Sequence, residues 1–181
     1  MELSGNHVVW TTTLAFTLYA GWIDGHTRRI PNWLTVPGFL AGVAVHSSLD
    51  GWHGALASLE GTGLALALLL PLVLLRALGA GDWKLMGAVG SLLGPLMLLF
   101  VLLASFLVAG FMAVVIAFYA RRARETFQNM VSLVKGFFVF GLRANPQISL
   151  DNPTLLKLPF GVAAAVGTLM CFVAAHWHLG I

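Results

Sequence analysis

Two aspartates stand where an apolar chain is least able to hold charge. Asp24 closes the first apolar stretch, in Gly21-Trp22-Ile23-Asp24, and Asp82 opens a later one, in Gly79-Ala80-Gly81-Asp82-Trp83-Lys84. A carboxylate at membrane depth is expensive, so by default it marks a functional site. Two carboxylates held together cannot both ionise easily: one accepts a proton while the other keeps one. That is acid–base chemistry suited to breaking a peptide bond with water.

Each aspartate also has a structural reading. Asp is a favoured N-cap, and Asp82 precedes a helical run after a Gly-rich turn, where Gly79 and Gly81 permit a sharp bend and close backbone approach. Lys84 then either sets a positive charge beside the carboxylates or anchors its span among headgroups. Asp24 falls at a helix C-terminus, where negative charge opposes the macrodipole. Arg28 and Arg29 are near enough in sequence to neutralise it. Pro31 fixes an extended bend after it, and Asn32 is expected to cap the second span.

Other reactive constellations are weaker. His46, Asp50 and His53 match no metal-ligand spacing and read as solvated outer-loop residues, as do His176 and His178. Glu60 reads as reaching back to the interface. The single cysteine, Cys171, can form neither an intrachain disulfide nor a Cys-based metal site. There is no phosphate-binding loop, no His-Glu-x-x-His, and no nucleophile–base pair of the serine or cysteine protease kind. No metal and no cofactor are expected.

The elements that must carry Asp24 and Asp82 follow from composition. Of 181 residues 59% are apolar and 9% charged, against about 25% charged in a soluble domain. Apolar runs of membrane-spanning length imply an all-α polytopic membrane protein, with lipid rather than water around most of its surface. Spans are expected near 7–24, 33–49, 56–77, 85–94, 96–120 and 158–178, in a single domain. Gly94-Pro95 is either a tight outer turn or a kink in a longer element. The net charge of +3 reports topology rather than nucleic-acid binding. Arg28, Arg29, Arg76, Lys84, Arg121, Arg122, Arg124, Lys135, Arg143 and Lys157 all thread to one side, which the positive-inside rule makes cytoplasmic. Asp24 and Asp82, 58 positions apart, then return to that same cytoplasmic face.

Small residues show how the spans approach. Gly87, Gly90 and Gly94 form one smooth stripe, and Gly38 and Gly42 another. Between the last two spans, Phe127, Met130, Val131, Val134 and Phe138 recur at helical spacing. They predict an amphipathic helix on the cytoplasmic leaflet within 121–157, followed by a loop broken at Pro146, Pro153 and Pro159. The basic residues at its start favour anionic lipid. A cleavable signal peptide is not expected, because the N-terminal stretch has Glu2 and no basic region.

These residues resemble a known family. Asp24-Gly25-His26-Thr27-Arg28-Arg29-Ile30-Pro31-Asn32-Trp33-Leu34-Thr35 is similar to the first signature of the type IV prepilin peptidases. Gly79-Ala80-Gly81-Asp82-Trp83-Lys84 resembles their Gly-x-Gly-Asp motif, and Lys157-Leu158-Pro159-Phe160-Gly161 their late Pro-aromatic-Gly segment. The resemblance implies an intramembrane aspartyl endopeptidase of the bacterial inner membrane, removing basic leaders from prepilins or pseudopilins at the cytoplasmic face. It assigns Asp24 and Asp82 as the catalytic pair, with Pro31, Asn32, Gly79, Gly81, Lys84 and Pro159 as supporting motif. Members that also methylate the new N-terminus carry an extra region with paired cysteines. This sequence lacks it and is more similar to the short, peptidase-only members of Flp/Tad systems. The implied partners are a prepilin substrate and membrane lipid.

Three other readings start from the same residues. Presenilin-like proteases share Gly-x-Gly-Asp, but their first aspartate follows a tyrosine, whereas Ile23 precedes Asp24 here. A small proton-coupled transporter or channel subunit would use the carboxylates as a relay. A non-enzymatic pilus or secretion scaffold would use them for capping and pairing alone.

Overall fold

The computed structural model describes residues 7–119 and 158–177. The amphipathic helix expected within 121–157 lies outside the described residues, as do most of its following loop and residues 178–181. Among the described residues all regular structure is α-helical: α1 (His7–Thr27), α2 (Asn32–Leu74), α3 (Ala80–Tyr119) and α4 (Phe160–Trp177). This is what a Leu-, Ala- and Gly-rich chain must do where no water is present to satisfy its backbone. Two of these helices, α2 and α3, are long and apolar enough to cross a membrane, and α4 carries a shorter apolar run, Phe160–His176.

Six separate spans were expected, and four helices are described. The expected second and third spans lie within α2, and the fourth and fifth within α3. The reason is local. The polar stretch expected as a loop at 47–55 stays helical except at Asp50 and Gly51, where Gly51 takes φ 56°. Gly94 breaks α3 with φ 74°, a conformation that suits glycine, and Pro95 then restarts the helix. Gly94 is thus a backbone break whose own Cβ direction is open, while its carbonyl carbon lies 2.9 Å from the Cβ position of Gly61, so its backbone still packs against α2.

Contacts across α2 and α3 fix the register. The two arms of α2 fold back on each other, since the Cβ position of Gly54 falls on the His46 carbonyl. Along the first arm, Asn32 meets Lys84 and His46 Nε2 donates to the Leu92 carbonyl at 2.8 Å, so this arm runs parallel to the start of α3. Along the second, Ser58 Oγ donates to Ser91 O at 2.8 Å, Thr62 Oγ1 to Gly87 O at 3.1 Å, and Trp83 Nε1 to Leu66 O at 2.9 Å. The second arm is therefore antiparallel to α3. The other half of the molecule is an antiparallel pair, α1 with α4. It is pinned at one end by the His7 and His176 rings, at 3.2 Å between nitrogens, and at the other by Asp24 and Gly161. The later part of α3 closes against α4, with the Phe106 and Phe160 rings tilted at 52° and their centroids 5.6 Å apart, and the Cβ position of Gly167 2.7 Å from Ser105 N.

The packing is that of a molecule solvated by lipid. Leu103, Leu107, Phe111, Val114 and Phe118 form an exposed apolar stripe down α3, while Thr13, Thr17, Ser58, Ser91, Ser105 and Thr168 are fully buried. Without a hydrophobic force between helices, close backbone approach must do the work. Gly61 and Gly90 face each other so closely that a Cβ on either would fall on the other's carbonyl, and Gly42 sits against the backbone of Ser91 and Leu92. Gly61→Val is therefore expected to lower the thermal unfolding midpoint in detergent, by overpacking worth about 1–3 kcal/mol. Gly63→Val, whose Cβ position opens onto space, should leave the midpoint nearly unchanged.

Candidate active site

Asp24 lies in the last turn of α1, four per cent exposed, among Ala20, Gly21 and Ile23. A carboxylate there faces the negative end of its own helix. Its compensation comes from α4. The Gly161 N–H donates to Asp24 Oδ2 at 2.7 Å, and the Val162 amide lies near enough to favour the same charge. Gly161 lies in the first turn of α4, where free amides make a natural anion site. Pro159, just before α4, brings no N–H of its own, and its carbonyl accepts from Val162 and Ala163 at 3.2 and 3.4 Å. The fit is close: a Cβ on Gly161 would lie 2.8 Å from Asp24 Cβ and 3.0 Å from Oδ2. Arg28 is exposed, and its positive charge also bears on Asp24.

The chain leaves α1 through a left-handed residue. Arg28 takes φ 52° and its N–H bonds the Asp24 carbonyl at 2.8 Å, closing α1 with the αL conformation that glycine more often supplies. Ile30 is buried and Pro31 starts α2 in the extended conformation. The cap expected of Asn32 is not formed. Pro31 occupies the N-cap position with no side-chain cap, and the Asn32 Oδ1 instead accepts from Lys84 Nζ at 3.0 Å. Lys84 is exposed, so this bond ties the surface ends of α2 and α3.

Asp82 stands at the third position of α3 rather than at its N-cap. From there its carboxylate reaches back to the Gly79 N–H, the acid's half of a capping box, and its Oδ2 lies 3.0 Å from the Cβ position of Gly79. It is half-buried. Gly81 allows the approach to the segment leaving α1: its Cβ position is 3.3 Å from Ile30 Cβ and Ile30 O. The starts of α2 and α3 and the end of α1 therefore meet at one end of the molecule, and the negative charge on Asp24 reaches Asp82. Each carboxylate faces a backbone amide at a helix start, Asp82 that of Gly79 just before its own helix and Asp24 that of Gly161 in another.

The sequence model of the type IV leader peptidase family matches residues 11–114, more than half of the chain, with Asp24 and Asp82 both inside the match. The chain belongs to the type IV leader peptidase family. It is accordingly a peptidase, of a family whose members are generally aspartic in type, and its apolar helices suit a membrane protein. Neither a curated protein nor a solved structure matches the chain.

The matched region of this leader peptidase stops short of Gly161, whose amide reaches Asp24 from 137 positions away. The sequence marks Pro159 and the Pro-aromatic-Gly order, but a backbone donor has no residue signature beyond the glycine that lets it come close. Histidines 46 and 176 take structural parts: His46 bonds the Leu92 carbonyl, and His176 bonds the Phe172 carbonyl and the His7 ring. Displacing Asp24 should damage the site without removing any of its chemical groups. Gly161→Ala is expected to lower peptidase turnover about 10–100-fold, as ångström-scale misplacement does. Gly25→Ala, whose Cβ position meets Val162 at an ordinary 3.6 Å, should retain activity.

Proposed function

We propose that this chain is an intramembrane aspartyl endopeptidase that removes the leader peptide of Flp-type prepilins or pseudopilins at the cytoplasmic face of the inner membrane. Asp24 and Asp82 are its catalytic pair. The observation that carries this reading is the packing of Gly81, beside Asp82, against Ile30 in the segment that leaves α1 after Asp24, which brings two carboxylates to one end of an otherwise apolar set of helices.

The pair shares one proton and works as a unit. Its ionised member takes a proton from water, which attacks the scissile carbonyl carbon. Its protonated member donates to the carbonyl oxygen, and a proton then passes to the leaving amine as the C–N bond breaks. Gly161, Gly79 and Gly81 position the carboxylates through backbone contacts, Pro31 and Pro159 shape the two approaches, and Asn32 with Lys84 closes the surface end. The breaks at Asp50-Gly51 and Gly94 support six membrane passes, with the reversals on the outer side and Asp24 and Asp82 both facing the cytoplasm. N-methylation belongs to other members of the family, since this sequence has no paired cysteines.

Membranes carrying the unsubstituted protein should shorten a tagged Flp-type prepilin, and Asp24→Asn or Asp82→Asn at matched abundance should each leave it uncut. Cleavage that survives both substitutions would make the carboxylates structural. Topology has its own test in a Cys171→Ala background. A cysteine introduced at Arg122 should resist a membrane-impermeant label added from outside, and one introduced at Trp52 should react. The reverse pattern would overturn the orientation.

A further inference from the structure

Hydroxyl groups inside this protein find acceptors. Thr13 and Thr17 bond carbonyls four residues back at 2.7 and 2.9 Å, Ser105 and Thr168 do the same at 2.6 and 2.8 Å, and Ser58 and Ser91 bond each other. Thr35 departs from this pattern. It is four per cent exposed, and its Oγ1 has no hydrogen-bond partner among the described residues. The Pro31 carbonyl accepts from the backbone N–H groups of Leu34 and Thr35 at 3.1 and 3.4 Å, and the Thr35 hydroxyl does not join them. A buried orphan hydroxyl is costly and calls for an explanation.

Its place in the fold supplies one. Thr35, Gly38 and Gly42 follow one another along one face of α2. Gly38 on that face meets the Phe16 ring of α1, and Gly42 meets Ser91 of α3. The face is therefore turned inward, between the helices that carry Asp24 and Asp82. Asn32 is level with Lys84, two residues beyond Asp82, and Thr35 is three residues farther along α2, a rise of about 4.5 Å. The hydroxyl thus stands about one helical turn inward from the surface end where the carboxylates meet.

We infer that Thr35 Oγ1 hydrogen-bonds the main chain of the bound substrate beside the scissile peptide bond. This rests on the aspartyl peptidase reading above. A peptide bond can be attacked only where the substrate is unwound, and unwinding within an apolar site leaves its N–H and C=O groups without partners. A threonine hydroxyl both donates and accepts. Thr35 Oγ1 has no partner among the described residues, so binding need break no hydrogen bond within them to form this one. The contact is made with ground state and transition state alike, and its loss should therefore appear in KM rather than kcat.

The test uses the purified full chain with a Flp-type prepilin in lipid vesicles. Thr35→Val keeps the shape without the hydroxyl, and Thr35→Ser keeps the hydroxyl. The expected result is a roughly three- to tenfold fall in kcat/KM for Thr35→Val, carried by KM. Thr35→Ser should stay near the unsubstituted protein, and the thermal midpoint of Thr35→Val should be unchanged or raised. Unaltered kinetics in Thr35→Val would overturn this inference and leave the peptidase reading standing. So would a loss shared by both variants with lowered midpoints, because the role would then be structural. Failure of the unsubstituted protein to cut, with correctly folded material, would overturn the peptidase reading and this inference together.

Discussion

The first-turn amides of α4 hold Asp24, and the arrangement of the helices follows from that contact. A carboxylate at the end of α1 has its own helix dipole against it and little water around it. The donation from Gly161 at 2.7 Å, with Val162 beside it, replaces lost hydration by fixed dipoles. It requires α4 to start beside the end of α1, and with the His7 and His176 rings meeting at the far end the two run antiparallel. It also requires a residue without a side chain at 161, because the Asp24 Cβ occupies the space a Cβ would need. Asp82 obeys the same rule within one helix, reaching back from the first turn of α3 to Gly79. Amides fixed in this way need little reorganisation when charge moves, which is the property that acid–base catalysis exploits.

Around that site the molecule is packed with polar groups and small residues inside and large apolar side chains outside. Glycine contacts between α2 and α3 bring backbones together, and buried hydroxyls bond carbonyls or each other. Departures from these local rules collect toward the site. Arg28 adopts a left-handed conformation immediately after α1, and the buried Thr35 hydroxyl has no partner among the described residues. Such departures persist when surrounding structure imposes them, and they concentrate where a protein binds or reacts.

Much of this site is legible in the sequence because its signals are side chains in the wrong solvent. Asp24 and Asp82 stand out against apolar runs, and Gly79 and Gly81 announce a turn with room for another backbone. The Lys84 position reads less fully. A lysine near two carboxylates suggests an ion pair, whereas its bond goes to Asn32, which is freed for it because Pro31 holds the cap position. Gly161 was visible as part of a motif but not as a donor, since an amide contact made across 137 positions depends on how helices dock. The break at Asp50-Gly51 hides for another reason. Ser47, Ser48, Asp50 and His53 look like a loop by polarity, yet the helix runs through them and turns on two residues. No pattern in a single sequence distinguishes Thr35 from the paired hydroxyls, because what sets it apart is where its side chain is directed in the folded chain.

As the proposed catalytic pair, Asp24 and Asp82 would act as one acid–base unit carrying a single proton. The most direct test is the pH dependence of kcat for the unsubstituted protein, cutting a prepilin-derived peptide that has no titratable side chain near the cleaved bond. A shared proton predicts a bell, with activity lost on the acid side as the ionised member is protonated and on the alkaline side as the remaining proton leaves. A profile with one limb, flat on either side over the range in which the protein stays folded, would contradict the paired-carboxylate account.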